Sequence, residues 1–126
     1  MKTHARVIHF EIATDNPERA AKFYKKVFRW KIENWKGPAA YWLVTTGEDK
    51  EPGIKGAILK KMEQAPAAII NTIDVPSVDK FVERITEAGG KVLMPKRAVP
   101  NVGYMAYCID TEGTVFGIME NDPTAK

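Results

Sequence analysis

The sequence has one cysteine, Cys108, in 126 residues. No intrachain disulfide can form, so a reducing compartment such as the cytoplasm is expected. Cys108 lies within an apolar strand pattern and reads as a small buried hydrophobe rather than a nucleophile. No apolar run approaches the length of a membrane span, and no secretory leader is visible at the N-terminus; a membrane partner is not expected. Nor is there a long basic run: 19 Lys and Arg stand against 16 Asp and Glu, a net charge of +3, and they are scattered. Nucleic acid, which calls for a clustered basic patch, is not an expected partner either. With 44% hydrophobic and 28% charged residues the chain is not disordered. It suits a single domain over residues 1–126.

What is present is a series of short apolar stretches with two periodicities. Arg6 to Ala13, RVIHFEIA, alternates as a half-buried strand. Ile8, Phe10 and Ile12 fall on one side, and Val7, His9, Glu11 and Ala13 on the other. Asp15 with Glu18 three residues later, and Pro17 in the first turn, predict a helix start. Ala20, Phe23, Tyr24, Val27 and Phe28 form its apolar stripe. Strands are predicted at Trp30–Trp35, Tyr41–Thr46 and Gly56–Leu59, the first two separated by Gly37-Pro38 and the last two by a polar segment containing Pro52. Ala67 to Val75 then reads as a strand, and Ser77 as the cap of a second helix. That helix is striped by Val78, Phe81, Val82, Ile85 and Ala88 and ended by Gly89-Gly90. A strand at Lys91–Met94 follows. The closing segment, Gly103 to Glu120, predicts a β-hairpin: Tyr104–Ile109, the turn Asp110-Thr111-Glu112-Gly113, and Val115–Met119.

Each half therefore reads strand, helix, strand, strand, strand. A shift of 62 residues lays Asp15 on Ser77, Ala20 on Val82, Phe23 on Ile85 and His9 on Asn71. One residue of slippage puts Gly56 on Gly117 and Leu59 opposite Glu120. The expected fold is α+β: two tandem βαβββ modules, about 5–60 and 66–121, forming a cupped, mostly antiparallel eight-stranded sheet. Helices would cover the outer face, His9 and Glu11 would face the concavity, and symmetry would send Asn71 and the strand ends at Leu59 or Glu120 toward the same kind of surface. Glu120, on an otherwise apolar strand face, is either a strand-end charge or a site residue. Imidazole with carboxylate is a donor set for Zn, Ni, Co, Fe or Mn.

VIHFEIATDNPERAAKFYKKVFRW at Val7–Trp30, VDKFVERITEAGGKV at Val78–Val92 and PNVGYMAYCIDTEGTVFGIME at Pro100–Glu120 carry a family resemblance. The chain resembles the vicinal oxygen chelate superfamily of glyoxalases, bleomycin-resistance proteins and extradiol dioxygenases. The resemblance implies a homodimer and a divalent metal held by the first and last strand of each module. By position these ligands would be His9, Leu59, Asn71 and Glu120. Leu59 has no donor atom and Asn71 offers only an amide oxygen, so a reduced set of His9, Glu120 and Asn71 is implied. Glu120 or Glu11 would serve as the catalytic base; Glu11 could also replace a missing ligand, or be a solvated charge at the rim of the cup, the reading its residue type favours. A lyase, isomerase or dioxygenase acting on a small organic molecule is one implied function. A metal-free binding or sequestering protein of the bleomycin-resistance type is the alternative, and a dimeric interaction domain with a cup filled by aromatics is a third. Lys96-Arg97 could steer an anionic ligand or form a solvated strand edge. Trp30, Trp35, Tyr41 and Trp42 are expected to line or back the cup, more as core than as ligand contacts.

Overall fold

A computed structural model describes residues 5–35, 40–63 and 68–126. Gly37-Pro38 and Ala67 lie outside the described residues. Among these residues the chain forms β1 (Val7–Thr14), α1 (Pro17–Phe28), β2 (Lys31–Asn34), β3 (Tyr41–Thr45) and β4 (Lys55–Lys60). The second series is β5 (Ile69–Asp74), α2 (Val78–Glu87), β6 (Lys91–Val99), β7 (Gly103–Ile109) and β8 (Val115–Asn121). The two βαβββ modules are thus present. The backbone packs as two compact units, His9–Ile70 and Asn71–Lys126, the latter together with the start of β1.

In the first unit the strand order is β2-β3-β4-β1, with β1 and β4 parallel and the other neighbours antiparallel. One sheet face packs on α1. Ile32, Val44 and Ile58 are buried there with Ala21, and Phe10, Ile12, Ala20, Tyr24, Trp30 and Trp42 close around them. Phe10 stands beside Gly56 in the β1–β4 register, and its ring lies where a side chain at 56 would go. A Cβ on Gly56 would come within 2.5 Å of ring carbons. Helix α1 starts one residue later than the sequence suggests. Asn16, not Asp15, accepts the Arg19 amide at 3.0 Å, with Pro17 at the first helical position, where its missing N–H costs nothing. The helix ends on Arg29 in the left-handed region, φ 60 and ψ 30, its N–H bonded to the Lys25 carbonyl. That is a position glycine usually takes.

The expected stripe on α1 is only partly buried. Ala20 and Tyr24 join the core, but Phe23, Val27 and Phe28 are 56%, 52% and 55% exposed. Seen down the axis, the buried Pro17 and Ala21 put the sheet on one side, and Phe23 and Val27 lie on its flank.

The second unit repeats the plan in the order β5-β8-β7-β6, with β5 and β8 parallel. Val75, Val78, Ala106 and Ile118 are its buried centre, packed by Ile73, Phe81, Val82, Ile85, Tyr104 and Phe116. Here the register sets Asn71 beside Phe116, so the large side chain comes from the closing strand rather than the opening one. Strand β6 runs five residues beyond the expected end at Met94, through Pro95 to Val99, with register breaks between Val92 and Arg97. An edge strand tolerates the missing proline donor at such a break.

The caps settle how the modules correspond. Asn16 and Ser77 are equivalent, an offset of 61 rather than 62. Ile12 and Ile73 agree with it, each facing its helix. Because a strand alternates with period two, a slip of one residue exchanges the faces. His9 therefore corresponds to Ile70, not to Asn71. The closing strands, matched through Ile58 and Ile118, the partners of Ile12 and Ile73, put Leu59 with Met119 and Lys60 with Glu120.

Candidate functional site

Alternation along β1 sends Phe10 and Ile12 toward α1 and leaves His9 and Glu11 on the opposite face of the same sheet. Across the sheet, Trp42 and Val44 belong to the α1 side, so Tyr41 and Leu43 share the face of His9 and Glu11. The β3–β4 register places Leu59 beside Tyr41 and Ala57 beside Leu43, and the β1–β4 register sets Ala57 beside Glu11.

On this face three side chains are joined through one hydroxyl. Tyr41 Oη donates to Glu11 Oε2 at 2.8 Å, and His9 Nε2 lies 3.0 Å from the same oxygen. A phenol has one proton to give. With that proton directed at the carboxylate, the contact to His9 requires the imidazole to carry its hydrogen on Nε2 and donate to Tyr41. The network thus assigns the tautomer and leaves Nδ1 as the lone-pair nitrogen. Burial lowers the His9 pKa below its ordinary value, an effect partly offset by the nearby Glu11 charge; the neutral ring is favoured. Glu11 is 3% exposed. It is not the solvated rim charge that its residue type suggests.

Trp35 completes the group. Its ring meets Tyr41 edge-on at 5.7 Å, and its amide donates to the Tyr41 carbonyl at 2.8 Å. The sequence signals Tyr41 and Trp35 only as strand aromatics. Their membership in the polar group depends on the pairing of β3 with β4 and of β4 with β1, which no local pattern reveals.

The other candidates lie elsewhere. Glu120 Oε1 accepts the backbone N–H of Val78 at 2.9 Å, the first residue of α2. A carboxylate there satisfies an orphan donor and meets the positive end of the helix dipole. Ser77 caps the same turn through the Lys80 amide at 3.2 Å. Tyr104, in register with Glu120, packs on the α2 side, and the Lys96 ammonium sits 4.6 Å above its ring while bonding Asp79 Oδ2 at 3.1 Å. Lys96 is thereby tied to the start of α2. Asn71 is exposed and shares the α2 face with Phe116. The structure thus brings His9 and Glu11 together and places Glu120 and Asn71 on the helix side of the second module.

A divalent metal would need three or more convergent donors. Among the described residues no three His, Cys, Asp or Glu side chains come together in that way. On the His9 face the imidazole keeps a lone pair on Nδ1 alone, the Glu11 oxygen Oε2 is already an acceptor from Tyr41, and Leu59 offers nothing. Glu120 is engaged by the Val78 amide. The described donors do not fit the metal centre that a four-ligand scheme requires.

Comparison with known proteins agrees with the fold. The sequence profile of the Glyoxalase/Bleomycin resistance protein/Dioxygenase superfamily matches residues 6–118. A glyoxylase-like domain-containing protein of Didymella fabae is 30% identical over 122 residues, covering 94% of this chain and 95% of that protein. A Mycobacterium bovis protein named as a glyoxylase, CFP32, is 25% identical over 113 residues, covering 87% of this chain. This chain spans only 43% of that protein's length. Among solved structures, a hypothetical protein from Bacillus halodurans superposes with a TM-score of 0.69 at 16% identity, covering 99% of each chain. Methylmalonyl-CoA epimerase from Mycobacterium tuberculosis gives a TM-score of 0.70 at 12% identity, covering 98% of this chain and 94% of its own. With the paired modules and this match over nearly its whole length, the chain belongs to the glyoxalase, bleomycin resistance protein and dioxygenase superfamily.

Proposed function

We propose that this chain binds a small organic molecule on the face of β1, β3 and β4 that lies away from α1, without a metal. The observation that carries this reading is the His9–Tyr41–Glu11 hydrogen-bond chain. Recognition sites combine a few fixed polar groups with apolar walls, and here Trp35 and Leu59 flank the polar chain. The fixed orientation of Tyr41 means that a bound molecule meets polar atoms already in place, which lowers the entropic cost of binding. The reading corresponds to the sequestering type of protein in the superfamily.

Proton transfer within the bound molecule is a second reading, favoured by the same chain. Glu11 can accept a proton through the Tyr41 hydroxyl while His9 stays neutral. A glyoxylase-like relative and a fold neighbour named as an epimerase are compatible with it.

The test is a thermal-shift screen of small oxygen-bearing organic molecules against metal-stripped protein, with hits confirmed by Trp fluorescence. Binding without added metal, weakened in Tyr41→Phe and His9→Ala and unchanged in Lys96→Ala, is the expected result. Stoichiometric uptake of Zn, Ni, Co, Mn or Fe(II), lost in His9→Ala and required for every hit, would overturn the metal-free reading.

A further inference from the structure

The two modules are equivalent in plan, but their helices present different outer surfaces. Helix α2 and its flanks carry Lys80 and Arg84 against Asp79, Glu83 and Glu87, and its large apolar residues are at least partly buried. Helix α1 has Glu18 as its one acid, with Asp15 just before its N-cap. Against it stand Arg19, Lys22, Lys25, Lys26 and the C-cap Arg29, all exposed and, among the described residues, without an ion pair. Beside these charges lie Phe23, Val27 and Phe28, each more than half exposed.

The arrangement is ordered. Arg19, Phe23 and Val27 follow one another at i, i+4 and i+8, and Lys22 and Lys26 form the adjoining row. The exposed rings are held in place: Phe23 meets Tyr24 edge-on at 5.2 Å, and Phe28 stacks on Trp30 at 5.5 Å. Tyr24 and Trp30 in turn lie parallel at 5.0 Å. These aromatics need no ordering before they meet a partner.

We propose that α1 docks on anionic lipid surfaces. Phe23 and Val27 would enter the boundary between headgroups and acyl chains, and the flanking cations would lie among the headgroups. Charge chooses this occupant. A second copy of the chain would bring five cations against five, and the repulsion works against a dimer through this face. The apolar residues project from a helix flank, which suits a deformable surface better than a rigid pocket. Apolar side chains on one stripe with Lys and Arg beside them are the features of helices that lie in a membrane interface, and each cation near such a surface adds to the attraction. The docking is peripheral; no described helix is long and apolar enough to cross a membrane.

The experiment is co-sedimentation of the full chain with phosphatidylcholine vesicles, with and without phosphatidylserine, at low and high salt. Three proteins are compared: the parent, the double variant Lys22→Glu/Lys26→Glu, and the double variant Phe23→Ser/Val27→Ser. All four altered positions are exposed, and unchanged melting temperatures would verify that the variants fold. Binding only to the phosphatidylserine vesicles is expected, lost at high salt and weakened at least about tenfold in each variant. Equal binding to both vesicle types, no binding to either, or binding indifferent to the substitutions would overturn the proposal. So would sedimentation equilibrium showing a dimer that Phe23→Ser/Val27→Ser dissociates, or equally strong, salt-sensitive binding to poly-glutamate that ignores Phe23 and Val27.

Discussion

Replacing Tyr41 by Phe removes one oxygen atom and nothing else, which makes it a sharp probe of the polar chain. The ring stays, so the 5.7 Å contact with Trp35 and the packing beside Leu59 persist, and no cavity opens. Among the described residues, two hydrogen bonds disappear. One is the 2.8 Å bond to Glu11, a group 3% exposed that water cannot easily reach. A hydrogen bond to a charged acceptor contributes about 1.5–3 kcal/mol, and leaving such a group short of a donor costs most of that. The second bond, from His9, is half-buried and weaker. Together they set the expected loss at about 2 kcal/mol. For 126 residues the unfolding entropy is about 0.26 kcal/mol per degree, so the melting temperature should fall by about 8 °C. Calorimetry near neutral pH measures it directly. A fall of less than about 2 °C would mean that the hydroxyl bridges nothing of consequence, and the recognition chain would go with it.

Three other outcomes follow from the same structure. Glu120→Ala should cost about 1–2 kcal/mol in urea denaturation by stripping the Val78 amide of its partner, and Glu120→Gln, whose amide oxygen can still accept, less than half of that; equal losses would refute the capping role. Arg29→Gly should stabilise by about 1 kcal/mol in the same assay, because φ 60 strains a side chain there and glycine accepts it freely. His9 titrates below its ordinary value in the folded chain, so the unfolded chain takes up the proton first as pH falls. Stability should then decline below about pH 6.5, until the folded ring also protonates. The decline should be shallower in His9→Asn, measured by melting temperature at about pH 7.5 and about pH 5.5; identical slopes would show that another group carries the dependence.

The elements were legible in the sequence because each carries its own periodicity. Alternation over residues 6–13 marks β1, and Ser77 marks the start of α2. The module repeat was legible in outline, and so was the face of His9 and Glu11, which needs only alternation within one strand. The correspondence between modules was not. Asp15 and Asn16 are adjacent and both cap helices well, and choosing between them changes the offset by one. In strands one residue is the whole difference between two faces, so Asn71 and Glu120 moved from the expected concavity to the helix side. Tyr41 stayed hidden for another reason. Its neighbour Trp42 looks equally apolar, and only the pairing of β3, β4 and β1 shows which of the two reaches His9.

The pairing of Phe10 with Gly56, and of Asn71 with Phe116, bears on how the two halves can change over time. Each pair sets one large and one smaller residue side by side on the helix face of its sheet, but the large one sits on opposite strands. The halves are alike in plan and no longer interchangeable in parts. A hybrid carrying β8 in place of β4 would set Phe116 against Phe10, and the reverse exchange would leave Asn71 beside Gly56 with no large side chain at that place. Substitutions at 10 and 56, or at 71 and 116, are therefore constrained to travel as couples. Any exchange of material between the halves succeeds only when a whole module moves.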